Sequence, residues 1–598
     1  MTDDRWPTRR RFLAGSGALG AAGLIAGCNG MPGGSGSAGT PTKTTTSGSG
    51  GSGDTHTSPE LAKFVTDLPL PGGIEPSGEK QGHPHYEVSM EETTQSFHPD
   101  LGDTAIWGYE GQFPGPTFEV ERGQPVSVTW SNDGLPERHL FPVDTSLPSQ
   151  QGEPEVRSVV HLHGSNTTWT DDGHPQAWYT PDGETTGETY VGDTYTYQNH
   201  QPPTTLWYHD HVLGANRLNV HAGLAGLYVI RGEVGGTEQL PSGEYEIPLV
   251  LQDRTFESDG APYYPGPERG GVSPSIVEMF HGDVATVNGA AWPRLEVEPR
   301  KYRFHLLNAS NARFYDLSLV GYDADAAERT GEGGPAFVQV GSDGGFLNAP
   351  VALERVLLGS AQRGQFVVDF SEYAGESLLL ENGANAPFGA SEDETPLHEI
   401  MRIDVKDGEV TDDSRVPDSF GPLPRLGDAP NAGTDPVPTI DPSRAARERT
   451  LALTETKDEH GRIMLLLDGL GYDDAPTETP TVGTTEVWHL VNASDDAHPI
   501  HLHLVQFQVL GRQPFDAALY RDSGTISPTG EIRDPRDQEQ GWLDTVLVRP
   551  GEVTSVVAHF GEHDGLFADR TGRYVWHCHM MEHANHEMIR PLDVQHRE

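Results

Sequence analysis

The sequence predicts an all-β chain of three β-sandwich domains, and three observations carry that prediction. Beyond residue 60 the chain reads as short apolar–polar alternations cut by Gly, Pro, Asn and Asp, with few long helical periods. A strand-like stretch closing on Asn recurs at Asn132, Asn308 and Asn492, at spacings of 176 and 184 residues. A repeat that long is a duplicated domain rather than a solenoid unit. Finally, 598 residues are more than one hydrophobic core supports.

The N-terminal stretch stands outside this pattern. Thr8-Arg9-Arg10-Arg11-Phe12-Leu13 resembles a twin-arginine export signal, a route that carries folded proteins. The Gly/Ala-rich run from Phe12 to Gly27 is shorter than the about 20 apolar residues that a spanning helix needs. It closes on Ile25-Ala26-Gly27-Cys28, which resembles a lipoprotein cleavage box. Residues 1–28 are therefore expected to be a signal with Cys28 as the lipid anchor; the alternative is a signal cut elsewhere. Residues 29–59 form a Gly/Ser/Thr tether, in which 29–58 carry only Met31 and Ala38 as apolar residues, too few for a core. The expectation is an exported protein, extracellular or at the cell surface.

Three related units follow. The first runs from Gly111-Gln-Phe-Pro-Gly-Pro-Thr-Phe-Glu-Val to Val126-Ser-Val-Thr-Trp-Ser-Asn132. The second runs from Gly289 to Tyr302-Arg-Phe-His-Leu-Leu-Asn308, and the third from Gly469 to Glu486-Val-Trp-His-Leu-Val-Asn492. Each alternates apolar and polar residues before a turn, as a half-buried strand does. The expected domains are 60–235, 236–425 and 445–598, with the Pro/Gly/Asp-rich stretch 421–442 as the clearest linker.

Charge excludes whole classes of partner. The 89 acids outnumber 40 bases for a net −49, and only six of the bases are Lys. No basic face is available for nucleic acid, nor a cationic patch for an anionic leaflet. Such compositions resemble proteins of extreme halophiles, where about 1 M salt shrinks the Debye length to ~3 Å and quiets self-repulsion. An ordinary acidic secreted protein is the alternative. The two cysteines, Cys28 and Cys578, lie in unlike contexts and do not form a disulfide framework.

The histidines carry the chemistry. Scattered at random, 27 His would produce His-x-His about once. It occurs five times. The pair His83/His85 lies in a loop-like stretch without other metal-type residues and is the expected stray. The others stand in longer patterns: His161-Leu-His163, Trp207-Tyr-His209-Asp-His211, His498-Pro-Ile-His501-Leu-His503, and His577-Cys578-His579-Met-Met-Glu-His583 with Met588 beyond. On a strand, alternate side chains share a face, so each His-x-His aims two imidazoles one way. Cys578, between two of them, aims the other way. One short stretch thus feeds two metal sites, joined by a covalent path that electrons can use. Structural zinc needs no such path, and one thiolate is sparse for it.

Ligand type narrows the metal. Two His, one Cys and a weak Met form the blue-copper set, which His498, Cys578, His583 and Met588 supply. The remaining eight, His161, His163, His209, His211, His501, His503, His577 and His579, make an all-imidazole cluster; such clusters suit copper, and zinc and iron also accept imidazole. Four come from the first domain and four from the third, which predicts a cluster at their interface. Domain two lacks His-x-His and is expected to be a copper-free spacer that shapes the interface.

The four motifs, in this order, resemble the multicopper oxidases over 85–597, and Asp172-Gly-His-Pro-Gln-Ala-Trp178, Arg217-Leu-Asn-Val-His-Ala-Gly-Leu, Leu251-Gln-Asp-Arg-Thr-Phe and Glu298-Pro-Arg-Lys-Tyr-Arg-Phe look like the bacterial spore-coat laccase and bilirubin oxidase branch. The resemblance implies three cupredoxin-like Greek-key domains and four copper ions per chain. It would place type 2 copper on His161 and His501, the binuclear type 3 pair on His163, His209, His211, His503, His577 and His579, and type 1 copper on the Cys578 set. It further implies one-electron oxidation of a donor at type 1, through the exposed edge of His498 or His583. Cys578 with His577 or His579 would then carry electrons to the cluster, where O₂ becomes water.

Reducing O₂ consumes protons. Asp172 fits the family's acid near type 2 copper; a turn-forming Asp before Gly173 is the alternative. In the resembled branch an acid follows the last type 1 His, and here that position is Ala584. Glu582 is near but two residues earlier, and Asp210, between two ligand His, is expected to be structural. The donor is expected to be a phenol or aromatic amine. Cuprous or manganous ions, or bilirubin, are alternatives, and with nine Met the chain lacks a Met-rich insertion of the cuprous type. A copper-sequestering or electron-carrier lipoprotein is the non-enzymatic alternative, to which eight further His are superfluous. A two-domain nitrite reductase would lack the type 3 ligands.

Overall fold

Strands in this chain fall into three successive groups, each folded into two sheets. The computed structural model describes residues 56–266, 276–425 and 433–597. The expected signal at 1–28, Cys28 and the tether up to residue 55 lie outside the described residues. Among the described residues no helix is long and apolar enough to cross a membrane.

In the first group one sheet aligns Gly78–Lys80, His83–Gln95, Val126–Gly134 and Thr194–Tyr197, with Thr104–Tyr109 also paired to His83–Gln95. The other aligns Gly115–Glu121, Ala225–Arg231, Thr204–Asp210 and Val160–His163. Their inward residues, among them Val88, Trp130, Phe118, Tyr208 and Tyr228, share one buried core. The second group packs an eight-stranded sheet against a six-stranded one, with Leu249, Phe304 and Phe366 meeting Leu317, Leu379 and Ile403. The third packs a five-stranded sheet, which holds Thr484–Asn492 and Glu552–Phe560, against a four-stranded sheet. That last sheet runs Thr545–Val548, His498–Leu502, Gly572–Cys578 and Ile589–Val594.

The repeat seen in sequence has a structural cause. In each group the Asn-bearing strand lies parallel to an earlier strand of its own group: Val126–Gly134 beside His83–Gln95, Lys301–Asn308 beside Glu246–Phe256, and Thr484–Asn492 beside Arg447–Lys457. Parallel neighbours require a crossover between the two sheets, so the same path is traced three times. The side chains of Asn308 and Asn492 tie down the turn that follows, whereas Asn132 ties its strand to later segments of the first group. Asn308 Nδ2 donates to Arg313 O (2.8 Å) and Leu358 O (3.1 Å), and its Oδ1 accepts from Ser310 N. Asn492 does the same with Asp496 O (2.7 Å), Val548 O (3.0 Å) and Ser494 N. Asn132 reaches Ser158 Oγ and Tyr179 O, both at 2.8 Å.

One local expectation changes. His83 and His85 open the strand His83–Gln95 rather than a loop, with His85 Nδ1 bonded to Ser127 Oγ at 3.2 Å. Of the stretch 421–442, the described residues 421–425 and 433–442 are held in place by side chains of the neighbouring groups. Arg122 donates to Pro424 O, Trp542 Nε1 donates to Pro436 O (2.9 Å), and Asn348 brackets Val437 by two 2.9 Å bonds.

Candidate metal centre

Strand register puts the motif side chains where alternation demands. In the first sandwich His161 lies opposite His209, and His163 opposite Trp207. In the third, His501 lies opposite His577, and Ile500 opposite Cys578. His501 and His577 therefore share one face, while Cys578 shares the other with His498, two residues before Ile500. The first and third sandwiches meet on the imidazole face, and all eight cluster histidines are at most 2 % exposed.

The rings form one packed group. His161 stacks on His503 with centroids 3.9 Å apart, and His163 on His501 at 3.7 Å. His579 approaches His163 at 4.9 Å and His209 at 5.3 Å. His577 Nε2 lies 3.2 Å from both His211 Nε2 and His503 Nε2. Ligand nitrogens of His161/His163/His209, of His161/His501/His503 and of His211/His503/His577 each gather within 4.8 Å of one another.

Backbone and carboxylate acceptors fix the ring orientations. Nδ1 of His577 donates to Cys578 O (2.9 Å), of His209 to Asp210 O (2.8 Å), of His501 to Asp544 O (2.8 Å) and of His161 to Asp172 O (2.5 Å). His503 Nδ1 donates to Asp172 Oδ2 at 2.8 Å. With Nδ1 carrying the proton, Nε2 is a bare lone pair. Nε2 of His161, His209 and His501 is buried without a hydrogen-bond partner, as are both ring nitrogens of His579. Two lone pairs facing each other at 3.2 Å, as in His503 and His577, repel unless a cation lies between them. That separation matches two nitrogens on one metal at about 2.0 Å each. The donor set and its orphaned nitrogens fit metal ions, and the acceptors behind the rings are the usual outer support of such ligands.

Burial holds these imidazoles neutral, the form a metal needs. Desolvation lowers His577 to about 4 and His209 to about 3, and pushes His161, His163, His211, His501, His503 and His579 well below the usual range.

The second set lies across the strand. Cys578 Sγ is 3.6 Å from His498 Nδ1 and 3.7 Å from His583 Nδ1, and the two nitrogens are 3.2 Å apart. Met588 is fully buried, its backbone paired with Cys578 and His583. Burial pushes the Cys578 thiol upward, so the site favours a bound cation over a free thiolate. His498 Nε2 is bonded to Ser494 Oγ at 2.6 Å. The exposed imidazole edge expected from the resemblance is missing: His498 is 0 % and His583 1 % exposed. Met279, from the second sandwich, packs against the apolar cluster that holds Cys578 and Met588.

The acids divide by environment. Asp172 is 1 % exposed, burial raises its carboxyl pKa well above the ordinary value, and its Oδ1 has no partner. Gly173, with φ +77°, follows it in a tight turn where a Cβ would collide with Val160 and His161. Asp210 accepts from the amides of Val159 (3.1 Å) and Val212 (3.0 Å), an anchoring role. Glu582 faces the second sandwich, accepting from Tyr264 Oη (2.9 Å) and Asn311 Nδ2 (2.8 Å), and Ala584 is buried without an acid function. Sequence reasoning missed Asp544. Its Oδ1 lies 2.9 Å from His163 Nε2, and it gathers with His163 and His501 as a third-sandwich carboxylate beside the cluster. The second sandwich reaches into this interface through Arg363, Asn311 and Tyr264.

Comparison with known proteins places this geometry. Family models described as multicopper oxidase match residues 155–234 and 442–598. A laccase of Bacillus subtilis is 44 % identical over 89 % of this chain and 99 % of its own length. A laccase of Haloferax volcanii is 39 % identical, over 100 % of this chain and 92 % of its own. Among solved structures, a multi-copper oxidase from Pediococcus acidilactici superposes with a TM-score of 0.65 at 24 % identity, covering 90 % of this chain and 94 % of its own.

Proposed function

Because this chain belongs to the multicopper oxidase family, a copper-dependent oxidoreductase with O₂ as acceptor, we propose that it works as a laccase on phenols and aromatic amines, with four coppers in the family's type 1, 2 and 3 arrangement. Two relatives named laccase at 39 and 44 % identity support the donor class. His498, Cys578, His583 and Met588 would hold type 1 copper, His161 and His501 type 2, and His163, His209, His211, His503, His577 and His579 the type 3 pair. Bound copper supplies the one-electron chemistry at the thiolate site and the O₂-reducing chemistry at the imidazole cluster.

The observation that carries the reading is the opposed facing of Cys578 and its two neighbours. From Cys578 Sγ to the rings of His577 and His579 the path runs through one backbone link in each direction. The sulfur touches His498 and His583, whereas His577 touches His211 and His503. Around the cluster, Asp172 orients His161 through its carbonyl and His503 through Oδ2. Its bare Oδ1 is the atom that would hold a proton on the way to reduced oxygen. Export on the Arg9-Arg10 signal, a lipid tether at Cys28 and adaptation to high salt belong to the same proposal, supported by residues 8–28 and the net charge of −49.

A metal-ion donor, Cu(I) or Mn(II), is the second reading, and one observation favours it. Glu278, Asp496 and Glu455 crowd together, with Asp496 two residues before His498, and burial with that repulsion pushes Asp496 to about 7. A cation would relieve that repulsion. Oxygen uptake by the purified holoprotein in molar salt separates the readings. Faster uptake with a phenol than with Cu(I) or Mn(II) supports the laccase. No uptake with any donor, together with a single bound copper, indicates a carrier.

A further inference from the structure

Arg363 comes from the sandwich that contributes no histidine to either metal site, yet it is enclosed among all three. Its side chain is 0 % exposed. A guanidinium has five N–H donors, and each finds an acceptor here. Nε donates to Thr205 O of the first sandwich at 3.2 Å. One terminal nitrogen donates to Ala361 O (3.2 Å) and Asp544 Oδ1 (2.8 Å), the other to Asp343 O (3.0 Å) and Asp544 Oδ2 (2.7 Å). The pairing with Asp544 is the bidentate fork that only Arg makes.

Asp544 is the link to the cluster. Its Oδ1 also takes His163 Nε2 (2.9 Å) and Thr545 Oγ1 (2.9 Å), and its carbonyl takes His501 Nδ1 (2.8 Å). Because Nε2 of His163 is committed to Asp544, the nitrogen left for the cluster is Nδ1, which is buried and unpartnered. Space is reserved for the pair. Gly164, with φ +86°, would carry a Cβ 2.5 Å from Asp544 Oδ2 and 2.7 Å from a terminal nitrogen of Arg363. A carboxylate buried this deeply needs a fixed counter-charge, and removing its partner leaves it free to turn.

We infer that Arg363 is a positioning residue for the imidazole cluster: by clamping Asp544 through two parallel hydrogen bonds it sets the ring of His163 and the carbonyl that orients His501. The second sandwich thereby controls the geometry of a site to which it gives no ligand. The inference rests on the copper reading proposed above, since it concerns how the histidines are presented to that metal.

The test is copper content and absorption of copper-reconstituted Arg363→Gln and Arg363→Lys, beside the parent protein. The parent is expected to hold about four coppers, with both the blue thiolate band and the near-ultraviolet shoulder of a bridged pair. In Arg363→Gln the blue band should remain while the shoulder and at least one cluster copper are lost, and O₂ uptake falls about 10–100-fold, the usual effect of removing an outer support. Arg363→Lys keeps the charge but not the fork, and should lose the shoulder as well. If Arg363→Gln fails to fold, the Lys variant alone decides. Full copper and an unchanged shoulder in the folded Lys variant would overturn the clamp, as would parallel loss of both bands. A parent protein with a single copper would instead overturn the copper reading, and the inference with it.

Discussion

At the scale of single residues, the site is a matter of which nitrogen each imidazole keeps for the metal. Carbonyls and carboxylates take one ring nitrogen of His161, His163, His209, His501, His503 and His577 inside a buried interface and leave the other to face the cluster. Asp172 does this for two rings and keeps one oxygen free. Asp172→Asn should keep the blue band yet slow O₂ reduction about 100-fold, the lower range for a lost proton donor; stopped-flow reoxidation by O₂ reads it, and an unchanged rate removes Asp172 from the proton path. The four clustered His-x-His pairs and Cys578 were legible because alternation on a strand turns spacing into direction, whereas His583, on the short helix Met581–Asn585, and Met588 were suggested only by the blue-copper ligand set. Asp544 was not legible. A lone Asp before Thr-Val-Leu-Val looks like any strand entry, and its meaning depends on Arg363, 181 positions away. The burial of His498 and His583 was equally hidden, because spacing along the chain does not encode which neighbours close over a side chain.

At the scale of elements, the Asn that recurs at 308 and 492 is a turn lock rather than a chance similarity. Asn492 satisfies two carbonyls and one amide at the end of its strand, just ahead of His498. Asn492→Ala leaves those buried groups unpaired and should destabilise the protein by about 1–3 kcal/mol. Denaturant unfolding of the metal-free chain measures this, and a change below about 0.5 kcal/mol contradicts the lock. Sequence periodicity revealed the strands and their triplication but not the parallel pairing, since crossover partners lie far apart in the chain. The stretch 421–442 read as a linker from its Pro and Gly content. The anchoring of its described parts depends chiefly on donors contributed by neighbours, Arg122, Trp542 and Asn348, which composition does not encode.

At the scale of the whole molecule, three sandwiches bury a titratable interior under a strongly acidic surface. Besides the ligands, His139 is lowered to about 4, and His174 and His221 to about 3, each chiefly by burial. Their folded pKa values lie below the unfolded 6.5, so the unfolded chain binds more protons between those limits. Stability is therefore full above pH 6.5 and falls as pH drops toward 4, by at most about 1.4 kcal/mol per pH unit for each group. Surface acids work the other way as protonation relieves repulsion, a contribution that molar salt removes. So do the buried Asp172, Asp210, Asp343 and Asp496, whose raised carboxyl pKa values favour proton uptake but which the buried imidazoles outnumber. Thermal midpoints of the metal-free protein in molar salt should thus decrease from pH 7 to 5; a flat or rising profile contradicts neutral burial.

One chain carrying two metal sites on opposite faces of a single strand is the central claim, and copper counting on Cys578→Ser tests it most directly. The account predicts about four coppers in the parent protein and about three in the variant. The variant should lose the blue band, keep the near-ultraviolet shoulder and no longer consume oxygen with a phenolic donor. One copper in the parent, or a variant that loses every copper together, would contradict it.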